Sequence, residues 1–149
     1  MLTAKGKYGL KALARLARLR PGEIIQAVDI AEVENIPKKF LDAILNDLRN
    51  AGFVHSRKGP GGGYMLARAP SDIGIGQVIR TLDGPLAPLP CASRTAYRPC
   101  EDCADVKTCA IRLTMARVRD AVSEILDRMT VADMVAASDG GKVALMYHF

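Results

Sequence analysis

The chain has 149 residues, is 49% hydrophobic and carries a formal net charge of +5. That composition supports one domain, or one small domain plus an appendage, and is not that of a disordered chain, while the basic balance favours an anionic partner such as nucleic acid or an acidic membrane surface. No apolar run approaches the roughly 20 residues of a membrane span, and the N-terminus lacks a signal-peptide apolar region. A cytoplasmic protein without a membrane partner is expected, and in that reducing compartment the four cysteines read as ligands or redox groups rather than structural disulfides.

Taken in order, residues 5–19 predict a helix, with Tyr8, Leu10, Leu13, Leu16, Ala17 and Leu19 on a largely apolar side. Arg20-Pro21-Gly22 ends it. Residues 26–34 predict a short second helix, and Pro37, after Asn35-Ile36, suits the first position of a third helix over 38–51. In that helix Phe40, Leu41, Ile44, Leu45 and Leu48 form one face for burial, and Gly52 is the expected left-handed stop. Strands are expected over 53–57 and 64–67, flanking the glycine-rich tip Lys58-Gly59-Pro60-Gly61-Gly62-Gly63. Ser71-Asp72 reads as the cap of a fourth helix reaching about Leu82, and Gly84 to Pro90 as a linker. A long helix over 110–129 and a short helix over Val131 to Ala136, capped by Thr130, complete the pattern. The fold class is mainly α with a small β-wing: a winged helix-turn-helix domain plus a long dimerisation helix.

The third helix leaves Lys38, Lys39, Asp42, Ala43, Asn46 and Arg49 outside. Recognition helices touch base edges in the major groove with their N-terminal residues. The wing sets Arg57 and Lys58 beside Gly59, Gly61 and Gly62. A backbone stripped of side chains can approach a phosphate ridge or enter a narrow minor groove. Each feature alone is an ordinary solvated face or turn. The joint order points to double-stranded DNA as partner, with Lys38, Lys39, Asp42, Arg49, Arg57, Lys58, Gly59, Gly61 and Gly62 as the candidate contacts.

The stretch from Phe40-Leu41-Asp42-Ala43-Ile44-Leu45 through Leu48-Arg49-Asn50-Ala51-Gly52-Phe53-Val54 to Ser56-Arg57-Lys58-Gly59-Pro60-Gly61-Gly62-Gly63-Tyr64 resembles the signature of the Rrf2 family of bacterial transcription regulators. Tyr8-Gly9-Leu10-Lys11-Ala12-Leu13 and Thr130-Val131-Ala132-Asp133-Met134 also resemble that family, so the likeness covers about residues 3–136. It implies a dimeric regulator on a pseudo-palindromic operator. The family's acidic recognition-helix residue falls on Asp42, with Lys39 at the polar position before it, and its wing arginine falls on Lys58, next to Arg57.

The cysteines run Cys91-x8-Cys100-x2-Cys103-x5-Cys109, with none elsewhere. Thiolates suit iron–sulfur clusters, zinc and copper(I), and the segment between them reads as an exposed, deformable loop. Against the family, Cys91, Cys103 and Cys109 match the cluster ligands. Cys100 is additional, either a fourth ligand or a bystander. The resemblance therefore implies an iron–sulfur cluster, 2Fe–2S or 4Fe–4S, sensing iron, redox or nitric oxide status. A thiol switch and a zinc-stabilised regulator are the alternatives. A dithiol enzyme at Cys100 and Cys103 is disfavoured, because no thioredoxin-like βαβ setting or His/Asp constellation accompanies the pair.

In the long helix Ile111, Met115, Val118, Val122, Ile125 and Met129 are spaced 4, 3, 4, 3 and 4, a heptad seam for a homodimer. The expected organisation is a DNA-binding domain over 1–84, a cysteine-rich sensor loop over 85–109, a dimerisation helix and short terminal helix over 110–137, and a flexible tail over 138–149.

Overall fold

The computed structural model describes residues 2–102 and 104–140. Helix α1 (Ala4–Ala17) is capped by Thr3, whose hydroxyl accepts from the Gly6 amide. The Thr3 backbone N–H and hydroxyl also reach Asp83 at the far end of α4. Helix α2 (Ala27–Glu34) ends on Asn35 in the left-handed conformation, and α3 (Lys38–Asn50) follows. Pro37 stands at the cap of α3, one residue earlier than expected.

Leu41, Ile44, Leu45 and Leu48 of α3 are fully buried, but Phe40 is 43% exposed. At 3.6 residues per turn it falls at the edge of the apolar arc. It packs edge-on against Tyr8 of α1, with ring centroids 5.7 Å apart. Gly52 takes φ +82° and releases the chain into β1 (Val54–Arg57), which pairs antiparallel with β2 (Gly63–Leu66) in the register Val54 to Leu66 and Arg57 to Gly63. Ile25 adds one bridge to Tyr64, so the hairpin is sewn to the entry of α2.

Ser71 and Asp72 do not cap α4. They lie in a single helical turn, Pro70–Asp72, and α4 (Ile75–Asp83) starts from Gly74 without a side-chain cap. The competing force is tertiary. Ile73 is completely buried, and its carbonyl accepts from the Val131 amide at 2.9 Å, while the Met129 carbonyl accepts from Ile75. A short turn, Pro90–Ala92, precedes α5 (Ala110–Arg128), and α6 (Val131–Asp139) opens with a reciprocal Thr130/Asp133 capping box. Helix α6 runs three residues beyond the expected Ala136, so Ser138 and Asp139 of the anticipated tail are helical; positions 141–149 lie outside the described residues. Val131 is buried in the same apolar cluster as Leu13, Ile44 and Val78, so α6 packs back on the N-terminal helices. No helix among the described residues is long and apolar enough to cross a membrane.

Candidate nucleic-acid interface and cysteine loop

Burial of one α3 face fixes what the other presents. Lys38, Lys39, Asp42, Ala43, Asn46 and Arg49 are all exposed. Two couples organise them: the Lys38 ammonium donates to both Asp42 oxygens at 2.8 and 3.1 Å, and Arg49 Nη2 donates to Asn46 Oδ1. Lys5 pairs with Asp47 at 2.8 Å and ties this helix to α1.

The wing tip is built rather than loose. The Gly62 amide donates to the Gly59 carbonyl at 2.9 Å, and a Cβ on Gly62 would sit 2.1 Å from the Arg57 carbonyl oxygen. Only glycine permits that approach. Arg57 and Lys58 are exposed on this support. Arg68 serves the base of the wing instead, over the Phe53 ring at 4.9 Å and donating to the Gly52 carbonyl.

The cysteine loop is less exposed than its sequence implies. Cys91 is only 3% exposed, held in the turn Pro90–Ala92 against the body of the protein, whereas Cys100 is exposed and Cys109 caps α5. The two residues after it, Ala92 and Ser93, are also buried. Cys103 lies outside the described residues. The Sγ atoms of Cys91 and Cys100 are 3.6 Å apart. Two thiolates on one tetrahedral ion, each bond about 2.3 Å, stand about 3.8 Å apart, so this pair fits a shared metal. Among the described residues no three potential ligands converge.

Helix α5 grips the loop with two arginines seven residues apart. Arg112 Nε donates to the Cys91 carbonyl at 3.0 Å and its Nη1 to the Val106 carbonyl at 3.5 Å; Arg119 Nη1 donates to the Ala92 carbonyl at 2.5 Å. Arg119 also hydrogen-bonds Asp120, and with Arg94 it holds that carboxyl below the usual range. Neither arginine stands out in the sequence: seven-residue spacing puts both on one face of α5, but a hydrogen bond to a main-chain carbonyl carries no sequence signature. At the other end, the Arg80 guanidinium grips Asp127 at 2.6 and 2.9 Å and lowers its carboxyl pKa.

All 19 residues of α5 are exposed or half-exposed. Ile111, Val118 and Ile125, seven apart, are 63%, 42% and 60% exposed. Met115 and Val122 are half-buried between them, and Met129 packs against the chain's own core.

The profile of the Rrf2 family, described as iron-dependent transcriptional regulators, matches residues 2–137. The chain belongs to the Rrf2 family. An rrf2-like HTH-type transcriptional regulator of Rhodobacter capsulatus is 46% identical over 142 residues, covering 93% of this chain and 95% of the relative. The solved structure of CymR, described as the global cysteine regulator of B. subtilis, superposes with a TM-score of 0.74 at 34% identity, covering 91% of this chain and 96% of that one. The structure of T. potens IscR gives a TM-score of 0.72 at 29% identity, covering 93% and 88%. This Rrf2 chain is therefore a DNA-binding transcription regulator and not an enzyme, and the winged-helix fold expected from its pattern is the one it adopts.

Proposed function

We propose that this regulator acts as a cytoplasmic homodimer on a pseudo-palindromic operator and reports iron, redox or nitric oxide status through an iron–sulfur cluster on Cys91, Cys100, Cys103 and Cys109. Lys38, Lys39, Asp42 and Arg49 face the major groove, while Arg57 and Lys58, carried by Gly59, Gly61 and Gly62, meet the backbone or minor groove. The twins pair along Ile111, Met115, Val118, Val122 and Ile125, with Met129 at the seam's edge. In domain terms, residues 1–84 read DNA, 85–109 sense and α5 pairs the twins, while α6 packs back on the body of the protein.

The observation that carries the sensing claim is the 3.6 Å approach of Cys91 to Cys100 in a loop gripped by α5. It supports Cys100 as a ligand rather than a bystander. It also favours a centre with two thiolates on one ion, as in a 2Fe–2S cluster or a zinc site. The bound group would supply a redox-labile link that holds the loop closed. Arg112 and Arg119 then pass loop order to the pairing helix, so the two states differ in the spacing of the reading heads.

The test is anaerobic reconstitution of the full chain, with absorption spectra, iron and sulfide analysis, and operator binding before and after cluster removal. A chromophore lost in Cys91→Ala, Cys103→Ala and Cys109→Ala, with changed operator affinity, is expected. A triple variant with wild-type operator affinity and no metal in either protein overturns the reading.

A second reading rests on the same pair. Cys91 and Cys100 are close enough for a small rotation to bond them. With hydrogen peroxide as oxidant, the two thiols give up two electrons and two protons, one disulfide forms, and the peroxide is reduced to two waters. An S. aureus CymR structure described as the oxidized form is among the structural neighbours. A colourless protein with an oxidant-dependent Cys91–Cys100 crosslink selects this reading.

A further inference from the structure

The reading of α3 as the recognition helix, on which this inference rests, leaves open which side chain selects a base. The buried stripe of Leu41, Ile44, Leu45 and Leu48 sets the helix rotation. At 100° per residue, the positions most nearly opposite it are Lys39, Ala43, Asn46 and Asn50, all exposed. Lys38 and Arg49 lie on one flank. Asp42 is nearer the outward face, but both its oxygens are engaged by Lys38.

Arg49 bends from its flank to Asn46 and donates Nη2 to Oδ1. That bond distinguishes the two ends of an amide otherwise free to flip. It holds Oδ1 on the Arg49 side and turns the Nδ2 donors away, while Oδ1 keeps a second lone pair. An asparagine presented in this way matches adenine, whose N7 accepts and whose N6 amine donates in the major groove. One turn earlier stands Ala43, exposed and small. Its methyl group lets the helix approach closely and makes the apolar contact suited to a thymine methyl. Asn50 has the same amide but is the last residue of the helix, a full turn farther than Asn46 from the N-terminus that leads into the groove.

We propose that Asn46 is a specificity-determining residue that selects adenine at one position of each half-site, with Arg49 as the positioning residue that fixes its amide and Ala43 seated on the neighbouring thymine. An exposed i,i+3 bond of this kind stabilises a helix only weakly. Its removal therefore leaves the fold intact and isolates the reading role.

The experiment is selection from a randomised duplex library by the full chain, with sequencing, for wild type, Asn46→Ala, Arg49→Ala and Ala43→Glu. Affinity for a fixed non-specific duplex at several salt concentrations is measured alongside. For Asn46→Ala we expect loss of an A·T preference of about 5- to 150-fold at one position per half-site, with non-specific affinity and salt slope unchanged. Arg49→Ala should weaken the same preference and leave the slope alone. An unchanged preference profile for Asn46→Ala overturns the proposal. A salt slope reduced by about one unit in Arg49→Ala, with the preference kept, makes Arg49 a phosphate contact and overturns its positioning role. Ala43→Glu places a carboxylate on the reading face and should abolish binding. If it binds as wild type does, α3 is not the reading element, and that failure is separate from a failure of Asn46 alone.

Discussion

Gly62→Ala tests whether the wing is a rigid part. The added Cβ would lie 2.1 Å from the Arg57 carbonyl oxygen and 2.9 Å from the Gly59 carbonyl oxygen. Both atoms are backbone, so relief needs a main-chain shift of about 1.4 Å to reach ordinary contact of about 3.5 Å. That shift breaks the Gly62-to-Gly59 hydrogen bond, a net loss of about 1 kcal/mol, and unseats the Arg57 and Lys58 side chains together. The apolar core is untouched, so the melting midpoint should fall by only a few degrees. DNA binding should suffer more: two lost phosphate contacts lower the salt slope by about 1.8 units. Fluorescence anisotropy on an operator duplex between 50 and 200 mM salt, roughly the span over which such contacts show, reads this directly. Gly61→Ala is the control. Its φ is +74° with open space around it, so it costs about 1–2 kcal/mol of left-handed strain while keeping the tip's shape. Equal DNA affinity for Gly62→Ala and wild type, or a larger loss for Gly61→Ala, refutes a preformed wing.

Val118→Glu with Ile125→Glu should yield a folded monomer by light scattering with little change in melting, because both side chains are exposed in the single chain; unfolding instead of dissociation would mean that they belong to an internal core. Arg112→Ala frees the Cys91 and Val106 carbonyls and should speed proteolytic nicking between residues 94 and 107 severalfold, measured by mass spectrometry, with the helical circular dichroism signal retained. Asp127 carries a lowered pKa chiefly through its hydrogen bond from Arg80, so its contribution to stability is full above the ordinary aspartate value of about 3.9 and is lost as pH falls through the lower folded value. Asp127→Asn should therefore flatten the acid limb of a melting-temperature profile below about pH 4, and an unchanged limb removes this pair from the account.

Much of the fold was legible because its cues were local and agreed with one another. The α3 stripe, the Gly52 stop, the glycine tip and the Thr130/Asp133 cap each specify a conformation within a few residues, and each is found. Ser71-Asp72 misled because a cap signal of about 1 kcal/mol yields to burial of Ile73 and its pairing with Val131, a contact 58 residues away in sequence that no local pattern encodes. Phe40 misled for a related reason: an edge position is buried or exposed according to what a neighbouring helix covers, and Tyr8 covers only one side of it. The cysteine spacing revealed a thiolate site but not its attachment. The Arg112 and Arg119 bonds go to main-chain carbonyls, which carry no sequence signature.

Helix α5 is fastened unequally at its two ends. Near Asp127 and Met129 it is locked to the DNA-binding body by a two-oxygen ion pair and by strand-like pairing across Gly74 and Thr130. Near Ala110 it is joined to the cysteine loop by hydrogen bonds to the Cys91 and Val106 carbonyls. Mechanically it is a lever with its fulcrum at the body and its long arm at the cysteine loop. Nineteen residues at 1.5 Å each give an arm of about 28 Å, so a tilt of about 5° at the fulcrum displaces the loop end by about 2.5 Å. Under the proposed function, a loop that shortens or slackens by the width of one metal–thiolate bond, about 2.3 Å, would swing the whole helix, and a partner helix paired along it would carry that swing to the second recognition helix.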